Sequence, residues 1–466
     1  MTELASLPNP FRDNVVQDAW QSPVDISEIH AGAFDACIAG IDSAARGVPD
    51  SLLIYGAAGS GKTHLLARLQ RHLAETARSA PDNVLRCVFT FVRLQTSPQL
   101  LWQHVRRRLA SDLMRREQGL TQLQRLIAHQ LGIVAGRTAR AGILELRVLR
   151  SEDQEALSRH VQTVASKLGW THNLCVVLEE LIFNRNVRDA SAWLMGDSLP
   201  ERAMDQLGVG MDLDDDREEA ARHVVTALCR LAGETLPLVF CFDQVESLQR
   251  SANDEEALFR FGRMAADLYD SDANVFLITC LQSALLDQAK GAIREADFNR
   301  MARRSALLEP LTARQVERLV HSRLDSLPEV VALGPGMQDE PFFPLTRRFV
   351  HDLSLESPCV PRRVLALAAR AYEEAQHGRA APLPTTAEFL GEELQKRQKE
   401  NLSELEPSHT ERVLVQGAPL LAHLLEGQAK SDAEGADILI TGELDAAITV
   451  RNEADGRSLT PRLKKL

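Results

Sequence analysis

Apolar residues in this chain fall into short solid runs, separated by longer stretches with helical spacing. Ser51-Leu52-Leu53-Ile54-Tyr55 is the first run. A second covers residues 83–92, with Val84, Leu85, Cys87, Val88, Phe89 and Phe91. A third covers 236–242 and ends in Asp243, and a fourth covers 274–279. Runs of this length without alternation read as strands buried on both faces, as in a parallel sheet. Between them lie helix-like segments at 29–45, 218–232 and 255–269, and one introduced by Ser97-Pro98 that runs to about 116. In the segment 64–73, Leu66, Leu69 and Leu73 share one helical face. Alternating strands and helices predict an α/β fold.

The remaining pattern predicts the domain organisation. Residues 1–30 hold Pro8, Pro10 and Pro23 and read as an extended lead-in; 31–308 carry the sheet; 118–215 are a mostly helical insertion within it. Glu309-Pro310-Leu311-Thr312 introduces a helix over 313–324, and further helices to about 376 make a helical region. The Pro- and Ala-rich stretch 377–386 reads as a linker. Beyond it, 387–466 reads as a small C-terminal domain, whole or cut short: a charged helix at 388–400, strand-like runs at 438–440 and 447–450, and a short basic tail. No internal repeat is visible.

The first strand runs into Gly56-Ala57-Ala58-Gly59-Ser60-Gly61-Lys62-Thr63, a complete G-x-x-x-x-G-K-[ST] phosphate-binding loop between strand and helix. Its glycines let backbone N–H groups converge on an anion, and the helix N-terminus adds further donors and the positive end of its dipole. Lys62 is placed for the β- and γ-phosphates and Thr63 for Mg²⁺, with His64 directly following. Such a loop also needs a carboxylate for the metal. The run Leu238-Val239-Phe240-Cys241-Phe242-Asp243 supplies it, because ligands bind at the C-terminal ends of parallel strands. ATP and Mg²⁺ are therefore the expected ligands.

A chain of 466 residues suggests two to four domains. Its formal net charge of −12 excludes binding of a polyanion by bulk charge, so nucleic acid would need a local basic patch. The densest such stretch is Arg106, Arg107, Arg108, Arg115 and Arg116; a second holds Arg137, Arg140, Arg147 and Arg150 and reads as a charged helix face. The acidic run Asp212, Asp214, Asp215 and Asp216 reads as a helix start. Seven scattered cysteines without a C-x-x-C pair suggest free thiols and no zinc site. The N-terminus lacks a signal pattern and no apolar run reaches membrane-spanning length, so a cytoplasmic protein without membrane contact is expected.

The order of these parts resembles the AAA+ ATPases of the initiator and helicase-loader kind, over roughly residues 28–376. Gly59-Ser60-Gly61-Lys62-Thr63-His64-Leu65-Leu66 is similar to their phosphate loop, and Asp243-Gln244-Val245-Glu246 to the D-Q-x-E form of STAND ATPases, relatives of the origin-recognition ATPases. The resemblance implies a sensor 1 strand at Val275-Phe276-Leu277-Ile278-Thr279, with Thr279 or secondly Gln282 facing the γ-phosphate. It implies a helical lid over 309–376 and a sensor 2 helix at Pro361-Arg362-Arg363-Val364-Leu365, with Arg362 or Arg363 on the nucleotide. It also implies that Arg300, Arg303 or Arg304 completes a neighbour's site in a homo-oligomer. Ala192-Trp193-Leu194-Met195-Gly196-Asp197 resembles ATPases of bacterial phage-defence clusters.

This chain departs from the pattern twice. Gln244 stands where the family usually has Glu, which leaves Glu246 as the nearest carboxylate to orient water and suggests slow hydrolysis. The span between Lys62 and Asp243 is also far longer than the sheet needs, which places the insertion there. The expected function is an ATP-binding switch ATPase acting on DNA or a DNA-processing partner. A nucleotide-gated signalling hub without DNA contact is the alternative. No N-K-x-D motif supports a GTPase, and the helical region is too large for a simple kinase.

Overall fold

A computed structural model describes residues 4–12, 15–21, 24–79, 86–117, 120–126, 158–159, 161–163, 165–167, 169–210, 217–232, 236–251, 254–271, 274–327, 329, 341–356, 358–377, 428–433, 436–441, 446–448 and 464–465. The second arginine stretch, the acidic run 212–216, the charged helix 388–400 and nearly all of the linker lie outside them.

The centre is a five-stranded parallel sheet in the order β2-β5-β6-β1-β7, formed by β1 (Asp50–Gly56), β2 (Val88–Arg93), β5 (Leu238–Asp243), β6 (Val275–Gln282) and β7 (Arg304–Leu308). Alternate side chains enter two apolar clusters. Leu52, Ile54, Cys241, Ile278 and Cys280 pack beneath α1 (Ala31–Ala44) and α2 (Lys62–Ser79). Leu53, Phe240, Phe242, Leu277 and Leu281 face α3 (Leu101–Leu113) and two helices described below. Burial on both faces explains why these strands read as unbroken apolar runs.

Two expectations about the sheet need correction. β6 extends three residues past Thr279, because Cys280, Leu281 and Gln282 pair with Ile54, Tyr55 and Gly56 of β1. β7 went unrecognised in the sequence. It is an edge strand in which Ser305 and Leu307 are exposed and only Leu308 is buried, so it lacks the apolar run of a central strand.

A two-stranded ribbon, β3 (Arg116–Glu117) with β4 (Leu120–Thr121), leads into the insertion, whose described part also holds α4 (His172–Ile182), α5 (Val187–Met195) and α6 (Glu201–Leu207). Leu178, Leu181 and Leu194 join the apolar cluster that also holds residues of α3, α7 (Arg217–Ala232) and α8 (Glu255–Tyr269). The described helices of the insertion therefore form a layer that shares the core. After β6 come α9 (Leu286–Ala292) and α10 (Glu295–Met301), then β7 and the helical region of α11 (Ala313–Asp325), α12 (Arg347–Ser354) and α13 (Pro361–Gln376). Thr312 and Gln315 form a capping box at α11, and Pro361 occupies the first turn of α13.

The lead-in straps this helical region to the sheet. Asn9 Nδ2 donates to Ala369 O (2.8 Å), Gln376 Nε2 donates to Leu7 O (2.7 Å), and Phe11 packs edge-on against Tyr372. Further along, Arg68 and Arg71 of α2 pair with Asp25, and Trp20 packs on Phe89. A separate unit, Gln249–Glu255 with Pro384–Leu466, contains an antiparallel sheet of β8 (Gln428–Ala433), β9 (Ala436–Thr441), β10 (Ala446–Ile448) and β11 (Lys464–Lys465).

The basic helix suggested by sequence as a nucleic-acid contact is mostly spent on internal structure. Arg106 is buried, donates to Leu194 O (3.0 Å) and Trp193 O (2.6 Å), and stacks over the Trp193 ring. Arg107 pairs with Asp197, Arg115 with Asp112 and Asp18, and Arg116 donates to Asn184. The Trp193–Asp197 segment is thus the insertion's docking point on α3. Side chains also close the outer edge of β2: Gln122 exchanges two hydrogen bonds with the Phe89 backbone, and the Asp112 carboxylate accepts from Phe91 N–H.

Arg106→Ala strands two buried carbonyls and should cost about 3 kcal/mol, whereas Arg108→Ala, at an exposed position, should stay within about 0.5 kcal/mol. Urea unfolding of both variants checks this. Burial raises the Asp112 carboxyl from its ordinary value to about 6, against the opposing bonds from Phe91 and Arg115. The fold therefore holds this proton more tightly than the unfolded chain does. The group's contribution is full below the unfolded value and is lost as pH rises through about 6, a swing of roughly 3 kcal/mol. Unfolding curves between pH 4 and 7 should flatten by that amount in Asp112→Asn.

Candidate nucleotide-binding site

The turn from β1 into α2 passes through Gly59 (φ 78°) and Gly61 (φ 101°), both in the left-handed region that disfavours side chains. At Gly59 a Cβ would also lie 2.8 Å from Cβ of Arg362. Lys62 opens α2 and its Nζ donates to Gly56 O (3.0 Å) and Ala57 O (3.1 Å). Thr63 Oγ1 donates to Asp243 Oδ2 (2.6 Å), so the phosphate loop and the acidic strand end meet directly. The Ser60 hydroxyl is buried and has no hydrogen-bond partner among the described residues.

The three charged groups of the site are all withdrawn from water. Burial lowers the Lys62 ammonium from its usual value, while Cys280, Glu246 and Asp243 pull it back. Burial raises Asp243, opposed by the Thr63 hydrogen bond and Lys62, and burial raises Glu246. Burial pushes each group toward neutrality; Lys62 and the two carboxylates hold one another charged, while Asp243 opposes the charge on Glu246.

Beyond Asp243 the chain turns through Gln244 in a left-handed conformation (φ 60°). The Gln244 Oε1 accepts from Arg93 Nε (2.9 Å) and Gln95 Nε2 (3.2 Å), which ties it to the end of β2. A 3₁₀ turn, Val245–Leu248, then presents Glu246. Its Oε1 accepts from Gln282 Nε2 (2.9 Å), and its buried Oε2 has no hydrogen-bond partner among the described residues. Gln282 is the polar residue at the end of β6, paired with Gly56. Thr279 lies three residues earlier, buried between Leu53 and Phe242. The strand-end position expected for Thr279 thus belongs to Gln282, because β6 runs longer than its apolar run suggested.

The other sequence-derived positions separate clearly. Arg362 lies against the loop: its N–H donates to Gly59 O (3.3 Å) and its side chain packs on Gly59. Arg363 is buried in the helical region in an ion pair with Glu356. His64 donates through Nε2 to Val24 O (2.9 Å) of the lead-in, so this ring ties strap to helix. Arg300, Arg303 and Arg304 are not brought to this site, since Arg304 pairs with Leu52 and lies a strand's length from Gly56. Within the chain they hold Asp270, the Pro49 carbonyl with Tyr269, and Asp50, respectively. Sequence reasoning missed His30, whose Nε2 lies 2.9 Å from Ser60 O. No motif marks a lone histidine thirty residues before the loop.

Residues 39–278 match the family model described as an AAA ATPase domain, and the chain belongs to that family. The strand order and the loop–carboxylate geometry are those of a P-loop NTPase. Among solved structures, the chain is similar to the Aeropyrum pernix ORC1 protein in complex with DNA, at 15% identity and TM-score 0.38, covering 90% of this chain and 80% of that one. It is also similar to Cdc6p from Pyrobaculum aerophilum, at 11% identity and TM-score 0.36, covering 78% and 67%. A third is Drosophila ORC bound to DNA, at 11% identity and TM-score 0.38, covering 91% and 74%. No curated protein matches.

Glu246 should matter more to turnover than Gln244, because only a carboxylate can accept a proton from water and Gln244 is tied to Arg93. Glu246→Gln should lower steady-state ATP hydrolysis by 100-fold or more on the order of a lost general base, and Gln244→Ala by less than about tenfold. Phosphate release assays on the two variants compare them.

Proposed function

We propose that this chain is a switch ATPase that binds Mg-ATP between the phosphate loop and the helical region and hydrolyses it slowly. The observation that carries the proposal is the Thr63–Asp243 hydrogen bond, which joins the two motifs such a site requires. The donor set fits the ligands: a hydroxyl and a carboxylate for Mg²⁺, a buried ammonium and loop N–H groups for phosphate, and a Cβ-free cradle at Gly59 and Gly61. Mg²⁺ held by Thr63 and Asp243 would neutralise phosphate charge as it develops. Glu246, held by Gln282 with one carboxylate oxygen unpartnered, would orient the attacking water and take its proton. Arg362, packed on Gly59, would add positive charge from the lid side.

Oligomerisation belongs to this proposal. Of the three arginines expected to act in trans, Arg303 is the exposed one and is best placed to reach a neighbouring subunit. The target, DNA or a DNA-processing protein, rests on the resemblance of the motifs alone. The engagement of Arg106, Arg107, Arg115 and Arg116 within the chain favours the second reading, a nucleotide-gated hub without direct DNA contact.

Lys62→Ala should weaken Mg-ATP binding by roughly 100-fold, the equivalent of about 3 kcal/mol for charge-assisted bonds to phosphate. Calorimetric titration measures this, and unchanged affinity would remove the nucleotide assignment. Turnover with and without DNA, together with binding across a salt series, separates the two targets: a DNA-acting switch shows steep salt dependence and stimulation, and a hub shows neither.

A further inference from the structure

A phosphate loop works by aiming backbone N–H groups inward. Each peptide is a rigid trans plane, so an N–H that points inward requires the preceding carbonyl to point outward. Outward carbonyls in a buried turn need donors of their own. Five carbonyls of this loop have donors among the described residues. Lys62 Nζ serves Gly56 O and Ala57 O, and Ser60 N also serves Ala57 O. Arg362 N serves Gly59 O, and Leu65 N serves Gly61 O. Ser60 O is served by His30 Nε2 at 2.9 Å. That carbonyl shares its plane with the N–H of Gly61, and its donor is a side chain from outside the motif.

The chain commits structure to this contact. A carbonyl only accepts, so Nε2 carries the proton. His30 precedes α1 in a left-handed conformation (φ 55°, ψ 33°), which costs a non-glycine residue about 1 kcal/mol. Its side chain makes no capping bond to α1, although His30 O accepts from Phe34 N to start the helix. The ring is turned to the loop instead. The backbone that delivers it is held from two sides. Arg68 of α2 donates to Ser27 O (2.9 Å) and Ile29 O (3.0 Å), and Glu28 pairs with Arg318 of α11. The ring therefore arrives on a fixed backbone, between the helix that follows the loop and the lid.

We infer that His30 is a positioning residue of the nucleotide site: it holds the Ser60–Gly61 peptide with its N–H facing the phosphates. The inference rests on the ATPase reading above and deepens it. His30 acts through the loop backbone and takes no part in proton transfer, so its loss appears in binding and leaves the chemical step largely intact.

The test compares His30→Asn with His30→Gln. Asparagine tolerates the left-handed backbone but its amide is too short to reach Ser60 O; glutamine extends a donor to about the position of Nε2. Nucleotide affinity, KM, kcat and the melting temperature without nucleotide are measured for each. The expected result for His30→Asn is ATP and ADP affinity about tenfold weaker with KM raised to match, while kcat stays near wild type and the melting temperature falls by no more than about 4 °C, the loss of one hydrogen bond. His30→Gln should recover most of the affinity. If His30→Asn does not fold, His30→Ala takes its place in the comparison. Wild-type affinity without the donor, or a Gln variant as weak as the Asn variant, overturns the inference while leaving the ATPase reading intact. A wild-type protein that binds no nucleotide overturns both.

Discussion

The parallel register of β5, β6 and β1 is the constraint on which the site depends. It sets Gln282 beside Gly56 and Phe242 beside Thr279, so β6 and β1 end level, β5 ends at Asp243 two residues short of Gln282, and all three C-terminal ends lie along one edge of the sheet. Asp243, Gln282 and the phosphate loop come together for that reason. The hydrogen bonds Thr63–Asp243 and Gln282–Glu246 then close the arrangement. A slip by one residue would turn every side chain of a strand to the other face, and both apolar clusters oppose it.

Burial makes this junction electrostatically responsive. Lys62 and Asp243 are buried and Glu246 is partly so, and in such surroundings interactions between charges are stronger than in water and isolated charge is costly. Burial pushes the base down and the acids up; the ammonium offsets this for both carboxylates, and Asp243 raises Glu246 further. An anionic phosphate and a divalent cation arriving together would supply the charge this trio balances only among itself. The left-handed Gln244, tied to Arg93, separates the two carboxylates and aims them differently. Arg93 O in turn accepts from His104 of α3, which links the acidic turn to the helix that carries the insertion.

The insertion and the lead-in show how additions to the sheet are secured. The start of the insertion lies along β2, where Gln122, together with Asp112 of α3, satisfies edge backbone groups that would otherwise pair with another chain. Farther along, carbonyls at the end of α5 accept from Arg106 of α3, which docks the insertion on that helix. The lead-in lies across α13 and α2 and ends at His30, so one continuous segment touches the helical region, the helix after the loop and the loop itself. The helical region and the loop therefore share a covalent connection through the lead-in.

Sequence by itself determined the central strands, the phosphate loop and Asp243. Strands buried on both faces must be continuous apolar runs, and a loop that binds phosphate through its backbone must carry glycine at fixed spacing. Those are local requirements, written in adjacent residues. The edge strand β7 escaped notice because a half-solvated strand needs no apolar run. Tertiary structure alone decided which polar side chain ends β6, which of Arg362 and Arg363 lies on the loop, and what the arginines of α3 do. It also brought His30 to Ser60. Each of these depends on strand pairing or on contact between segments far apart in the chain, and spacing along a sequence carries no record of which carbonyl a distant side chain will meet.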